Sequence, residues 1–285
     1  MKLRACAKIN RSLSILGLRA DGYHELRTLF QSLELHDTLE FRAADDGFGI
    51  ECSTRGIPLD ERNLVWKAAR LVWQAAGRTG QPVGRVRIDK RIPSQGGLGG
   101  GSATGAAALV GWNRLWDTGV SSERLRELAV GLGADVPFFL VGGTALGLNR
   151  GDEMQPLDDL PPRWVVLVFP PFGVSTPEAF RWWDEDIRSQ APGAGRQTPD
   201  PNLRDAACVN DLEGPVASRH PQIRDIRCRL EQAGAEHAAM TGSGSTVFGL
   251  FAAERQARAA DAVLRAAGWR TLVTRTATRR EATIA

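Results

Sequence analysis

Residues 93 to 105 read Pro-Ser-Gln-Gly-Gly-Leu-Gly-Gly-Gly-Ser-Ala-Thr-Gly. Each glycine costs roughly 0.5–1 kcal/mol of backbone entropy relative to alanine, so this cluster is either a slack linker or a place where backbone must approach a ligand closely. The neighbours favour the second. Val86, Ile88, Lys90 and Ile92 alternate as a strand before it, and Ala103 to Trp116, apolar nearly all round, reads as a buried helix after it. A loop between a strand and a helix start brings free N–H groups and the positive end of the helix dipole to one point, which is a phosphate cradle. It is not a Walker A loop, because no lysine follows Gly101. It is not G-x-G-x-x-G either, because Ser102 and Thr104 stand where the last glycine is needed.

Three other places hold side chains able to do chemistry. Lys8 and Asn10 share one face of a strand in which Leu3, Ala5, Ala7 and Ile9 alternate with Arg4, Cys6, Lys8 and Asn10. A lysine on a strand's polar face is usually just solvated. Here, however, the chain carries 32 arginines and only four lysines, Lys2, Lys8, Lys67 and Lys90, so a surviving lysine more readily marks a need for a compact ammonium. Asp135 follows a helix stop at Gly133 and precedes Pro137, where a carboxylate either caps a new helix or serves as an acid or base. Tyr23 is the single tyrosine and follows the turn pair Asp21-Gly22, with His24 next to it.

The elements that must carry these residues are legible in part. Leu29 to Phe41 is strand-rich. Asn63 caps a helix through Leu64, Ala68, Leu71, Val72 and Ala75 that stops at Gly77, and it is first of all that cap, as Lys90 is first of all a strand lysine. A helix from Ser121 or Ser122 to Gly133 carries Leu125, Leu128, Ala129 and Leu132, and Ala145 to Arg150 leads into a turn. Trp164 to Phe169 is a buried strand, Ala207 to Leu212 and His220 to Ala233 are helical, and Thr241-Gly-Ser-Gly-Ser245 is a second glycine turn leading into a strand that ends at Phe251. Glu254 to Ala267 is helical and Trp269 to Thr274 strand-like. Ser189 to Leu203, rich in proline and glycine, reads as a surface excursion.

Composition sets the frame. A chain of 285 residues, 42% hydrophobic and 24% charged, can bury two medium lobes. A net charge of +3 points to neither nucleic acid nor an anionic membrane. The four cysteines, Cys6, Cys52, Cys208 and Cys228, form no Cys-x-x-Cys pair and read as ordinary buried thiols of a cytoplasmic protein. The start of the chain has no clean apolar h-region, and the longest uncharged run, Val136 to Asn149, is broken by proline and glycines. Nothing in the sequence fixes an oligomeric state.

Taken together, the glycine loop resembles the signature of the galactokinase, homoserine kinase, mevalonate kinase and phosphomevalonate kinase superfamily. Ala7-Lys8-Ile9-Asn10, Arg19-Ala20-Asp21-Gly22-Tyr23-His24 and Gly133-Ala134-Asp135-Val136-Pro137 narrow the resemblance to its cytidylyl-methylerythritol branch, and Thr241 to Ser245 is similar to the third superfamily motif. Order and spacing match across nearly the whole chain.

The resemblance implies an α+β small-molecule kinase, cytoplasmic and serving the non-mevalonate isoprenoid route. A ribosomal-S5-like ATP-binding lobe would span 1–157 and a ferredoxin-like substrate lobe 158–285. ATP and Mg²⁺ would be used to phosphorylate the 2-hydroxyl of the cytidylyl substrate. By the same resemblance Asp135 takes or orients the acceptor proton and Lys8 stabilises the transferring phosphoryl group. Pro93, Ser94, Gln95, Gly96, Gly97, Leu98, Gly99, Gly100, Gly101, Ser102 and Ala103 hold ATP, with Asn63 and Lys90 at its nucleoside. Asn10 positions the acceptor, Tyr23 stacks on cytosine, His24 hydrogen-bonds it, Phe180 supplies a second aromatic face, and Ser102 reaches the metal.

The rival readings are another kinase of the superfamily, such as homoserine or mevalonate kinase, and a non-catalytic binding module with this fold. Tyr23-His24 speaks against the first, because those acceptors carry no base. The pairing of Lys8 with Asp135 speaks against the second. The chain departs from the family pattern at Ala103, where a second serine is usual, at Thr104 in place of asparagine, and at Ser94-Gln95 in place of methionine and glycine.

Overall fold

The computed structural model describes residues 1–94, 96–189 and 208–284, so Gln95 and most of the proline- and glycine-rich stretch lie outside the described residues. The chain begins as a long antiparallel ribbon of β1 (Lys2–Leu18) and β2 (His24–Arg42), paired from Lys2↔Glu40 to Leu18↔His24. The sequence suggested a half-buried β1, but of its polar set Cys6, Lys8 and Asn10 are buried as well, and only Arg4 is exposed. From Ala5 to Asn10 both faces are covered. Leu3 and Ala5 join the core beneath the N-terminal helices, while Ala7 and Ile9 join a core shared with the second sheet.

There follow β3 (Phe48–Cys52), α1 (Leu64–Ala75), β4 (Gly84–Asp89), α2 (Gly100–Leu115), α3 (Ser122–Leu132), α4 (Val136–Val141), β5 (Thr144–Leu148) and β6 (Glu153–Pro156). The first sheet runs β3-β4-β2-β5-β6, with β1 added to β2. The helices start where their caps stand. Asn63 Oδ1 accepts from Val65 N at 3.0 Å, and Ser121 Oγ accepts from Arg124 N at 3.2 Å. Apolar faces of α1 and α2, including Val65, Ala69, Val72, Leu109 and Trp112, are fully buried on this sheet. β4 ends three residues sooner than the alternation suggested, because the carboxylate of Asp37 takes the N–H groups of Arg91 and Ile92 and closes the ladder.

The second half contributes β7 (Trp164–Phe169), α5 (Thr176–Ser189), α6 (Glu213–Arg219), α7 (Gln222–Gln232), β8 (His237–Met240), β9 (Val247–Phe251), α8 (Glu254–Ala266), β10 (Arg270–Arg275) and α9 (Arg279–Ala282). Its antiparallel sheet runs β10-β7-β9-β8. Helices cover one face of that sheet, and the other meets Ala7, Ile9, Leu33, Ile92 and Leu98. Ile92, just before the glycine loop, and Leu98, within it, are buried to 2% and 1% exposure, worth roughly 1.5–3 kcal/mol each. The loop is thereby clamped between the two sheets.

Two expectations need correction. Ala207 lies outside the described residues, and the helix expected to Leu212 begins only at Glu213, because Asn210 bridges to Leu13 of β1 and its amide is drawn to Met240 O and Gly242 O. The cysteines are not all buried: Cys228 is exposed, whereas burial pushes the Cys208 thiol up to about 11. Among the described residues no helix is long and apolar enough to cross a membrane.

Candidate active site

A cleft of about 890 Å³ opens between the glycine loop, β1, the residues before α4, the turn at 242–244 and α5. The loop crosses β1 at Lys8, whose N–H donates to Leu98 O at 3.1 Å. Gly97 has φ +72, and a Cβ there would lie 2.2 Å from Thr241 O; Gly99 has φ +70, and a Cβ there would lie 2.6 Å from Phe139 Cζ. Both positions exclude a side chain by conformation and by space. Gly99 caps α2 with no side-chain bond, and Ala103 N is the donor that closes its first turn onto Gly99 O. The N–H groups of Gly100, Gly101 and Ser102 are therefore left without intrahelical acceptors at the cleft.

Opposite them stand Lys8 and Asp135. Lys8 Nζ is 3.3 Å from Asp135 Oδ2, with the lysine side chain 3% and the aspartate 35% exposed. Asp135 sits at the N-cap position of α4 yet makes no capping bond, so its carboxylate serves the lysine rather than the helix. Lys8 Nζ also donates to Asn10 Oδ1 at 2.5 Å. Asn10 N donates to Thr241 Oγ1 at 3.0 Å, which ties the turn after β8 to β1. An ammonium buried beside one carboxylate and one amide oxygen keeps an N–H for a third partner in the cleft.

Toward the start of α1 the cleft is walled by Ile57, Pro58, Leu64 and Ile88, with Asn63 and Lys90 as polar groups. Asn63 uses its oxygen for the cap and its Nδ2 to reach Pro58 O at 2.7 Å. Lys90 pairs with the fully buried Asp37, and its ammonium rests against Gly100, where a Cβ would meet it at 3.2 Å.

The Arg19-to-His24 turn is closed by Gly22 N to Arg19 O at 3.1 Å and Arg19 N to Tyr23 O at 2.7 Å. The N–H of Tyr23, and after it Arg19, hold the Asp21 carboxyl below the usual carboxylate range. Tyr23 is 57% exposed and is not among the cleft-lining residues, although Arg150, which does line it, lies 5.1 Å from its ring centroid. His24 is turned to α5: its ring stacks on Phe180 at 4.8 Å, meets Trp183 edge-on, and bonds Asp184 Oδ1 through Nε2 at 2.9 Å. Phe180 lines the cleft and His24 does not.

Pro93, Ser94, Gly96, Leu98 and Ser102 also line the cleft, and Gln95 lies outside the described residues. Ala103 does not line it; its methyl is fully buried in the core and its N–H is spent inside α2. Thr104 donates its hydroxyl back to Gly101 O at 2.9 Å, so of the two hydroxyls in the first turn of α2 only that of Ser102 is left to the cleft. Among the described residues no group of three His, Cys, Asp or Glu could hold a metal ion. Thr28, Asp37 and Arg150 take part in this site without any local motif to mark them. Asp37 alone had a faint signal, a carboxylate inside a strand-rich stretch.

A two-sheet fold with a glycine loop clamped between its sheets and a Lys–Asp pair facing it defines a GHMP-type small-molecule kinase. The GHMP kinases N terminal domain matches residues 63–143 and the GHMP kinases C terminal domain residues 200–268. The 4-diphosphocytidyl-2-C-methyl-D-erythritol kinase of Pelotomaculum thermopropionicum is 45% identical over 95% of this chain and 96% of its own length. That of Moorella thermoacetica is 40% identical over 97% and 99%. A crystal structure of 4-(cytidine 5'-diphospho)-2C-methyl-D-erythritol kinase, 35% identical, superposes with a TM-score of 0.79 over 97% of this chain and 99% of that one. This chain belongs to the 4-diphosphocytidyl-2-C-methyl-D-erythritol kinase family.

Proposed function

We propose that the chain transfers the γ-phosphoryl group of ATP to the 2-hydroxyl of 4-diphosphocytidyl-2-C-methyl-D-erythritol, and that it does so in the cytoplasm. The observation that carries this reading is the Lys8–Asp135 pair, 3.3 Å apart and facing the free N–H groups of the α2 start. The acceptor oxygen attacks the γ-phosphorus in line, the bond from that phosphorus to the β,γ-bridging oxygen breaks, and ADP leaves. The hydroxyl proton passes to Asp135, and the Lys8 ammonium faces the charge on the three phosphoryl oxygens. Asn10, fixed against Lys8, positions the acceptor.

In this reading the lobe 1–157 holds ATP and the lobe 158–285 completes the acceptor site. The phosphates lie along Pro93 to Ser102, including Gln95. Ala103, enclosed in the core, supports the helix rather than touching the nucleotide. Asn63 and Lys90 stand at the nucleoside, where each keeps one face to the cleft. Tyr23 stacks on cytosine and His24 hydrogen-bonds it. Phe180, stacked on the His24 ring, is the second aromatic face.

The donor set fits an Mg²⁺ ion that arrives with ATP, since the Ser102 hydroxyl stands at the α2 start and no cluster of metal-ligating side chains occurs among the described residues. When bound, the ion neutralises the β- and γ-phosphate oxygens. The rival superfamily substrates are disfavoured by the full-length similarity to cytidylyl kinases. The test is ADP release by purified protein and Mg-ATP with the cytidylyl substrate, homoserine or mevalonate. Turnover confined to the first is expected, and its absence there would sink the reading.

A further inference from the structure

Lys8 owes its place to a second neighbour, which in turn depends on a third. Its ammonium donates to Asn10 Oδ1 at 2.5 Å. A carboxamide has one accepting and one donating end, so this contact exists only while the oxygen faces the lysine; a flipped amide would turn its NH₂ toward the ammonium and repel it. What holds the amide is on the page. Asn10 Nδ2 donates to Thr28 Oγ1 at 2.7 Å, and Thr28 Oγ1 donates to the carbonyl of Ser12 at 2.7 Å. Ser12 O can only accept, so the single hydroxyl proton of Thr28 is committed there. Toward Asn10 it presents only a lone pair. The chain of bonds from Ser12 O through Thr28 and Asn10 to Lys8 therefore has one consistent direction.

Every member of this chain is buried: Thr28 is 1% exposed, Asn10 3% and Lys8 2%. No bulk water competes to satisfy a flipped amide, and a buried polar group left unpaired costs roughly 1–3 kcal/mol. β1 and β2 supply the frame, since Asn10 pairs with Phe30 and Leu13 with Thr28 in the ribbon. Thr28 touches neither Lys8 nor Asp135 by any hydrogen bond or ion pair, and its effect reaches the reaction through Asn10.

We propose that Thr28 is a positioning residue of the phosphoryl-transfer site: its hydroxyl fixes the Asn10 amide so that the amide oxygen holds the Lys8 ammonium beside Asp135. This rests on the reading of Lys8 given above and extends it to a residue outside the family motifs. The chemistry needs a hydroxyl and not a methyl, so serine suffices where valine fails.

The experiment compares Thr28→Val, Thr28→Ser and Lys8→Met with the unaltered chain, using Mg-ATP and the cytidylyl substrate and following ADP release together with the unfolding midpoint. Thr28→Val, equal in shape but without the hydroxyl, should lower kcat roughly ten- to a hundredfold through displacement of the lysine, with both KM values within about twofold. Thr28→Ser should regain most of kcat. A kcat of Thr28→Val close to the unaltered value, with Lys8→Met inactive, would overturn the role of Thr28 alone. A Lys8→Met protein of full activity would overturn the underlying reading instead. If Thr28→Val does not fold, Thr28→Ala, which removes the hydroxyl and adds no misplaced methyl, is read in the same way. A loss that serine fails to restore would assign the residue to packing and overturn the proposal.

Discussion

Lys8 Nζ lies 3.3 Å from Asp135 Oδ2 across the junction of β1 and the approach to α4, and the carboxylate makes no capping bond to the helix it precedes. A helix-capping aspartate would have aimed at its own N–H groups. Asp135→Asn keeps the shape and removes the proton acceptor, so kcat should fall by roughly 10²–10⁴, while ATP affinity, measured by calorimetry, changes by no more than about twofold. An Asp135→Asn protein with near-normal turnover would leave the base unassigned.

Gly97 tests the cradle separately from the chemistry. A methyl at this φ of +72 would sit 2.2 Å from Thr241 O, a backbone atom of the facing turn. Gly97→Ala must therefore shift either the loop or that turn, with a strain cost of about 1–3 kcal/mol. The expected result is a lower unfolding midpoint and a KM for ATP raised at least several-fold. An unchanged KM for ATP would show that the nucleotide does not depend on the loop's shape.

How far the sequence carried this picture depended on the kind of force involved. Asn63 and Ser121 were legible as caps because capping is local, and the strand-loop-helix setting of the glycine cluster was legible because alternation and glycine content are local too. The burial of Lys8 was not, since alternation places it on a polar face and what covers that face, the glycine loop at Gly99 and the carboxylate of Asp135, comes from far along the chain. Asp37 and Thr28 escaped for a similar reason, as both act through bonds to strands or loops far away in the chain. The proximity of Lys8 and Asp135 came from resemblance to a family and not from spacing.

A variant at Tyr23 tests the proposed base recognition apart from catalysis. It is 57% exposed and packs against Arg150 only at the distance of a cation–π contact, 5.1 Å from the ring centroid. Its removal should cost the fold little. Loss of a stacked base is worth roughly 1–3 kcal/mol, so Tyr23→Ala should raise KM for the cytidylyl substrate by about five- to 150-fold, with KM for ATP unchanged. Equal rises in both constants would refute the stacking role.

Asp37 and Lys90 form an ion pair with side chains 0% and 7% exposed, and the same carboxylate accepts from Arg91 N at 2.7 Å and Ile92 N at 2.8 Å. Asp37→Asn can still accept from the backbone but leaves the ammonium without a counter-charge, and breaking one side of a buried pair costs about 3–5 kcal/mol. A large fall in the denaturation midpoint is therefore expected. In Asp37→Asn with Lys90→Met the buried charge is gone as well, and most of that stability should return. If Lys90 serves the nucleoside as proposed, the KM for ATP should be raised in the double variant, because that donor is lost with the lysine. Recovery of both stability and KM would mean that Lys90 serves the fold alone, since the charge imbalance would then account for the whole effect.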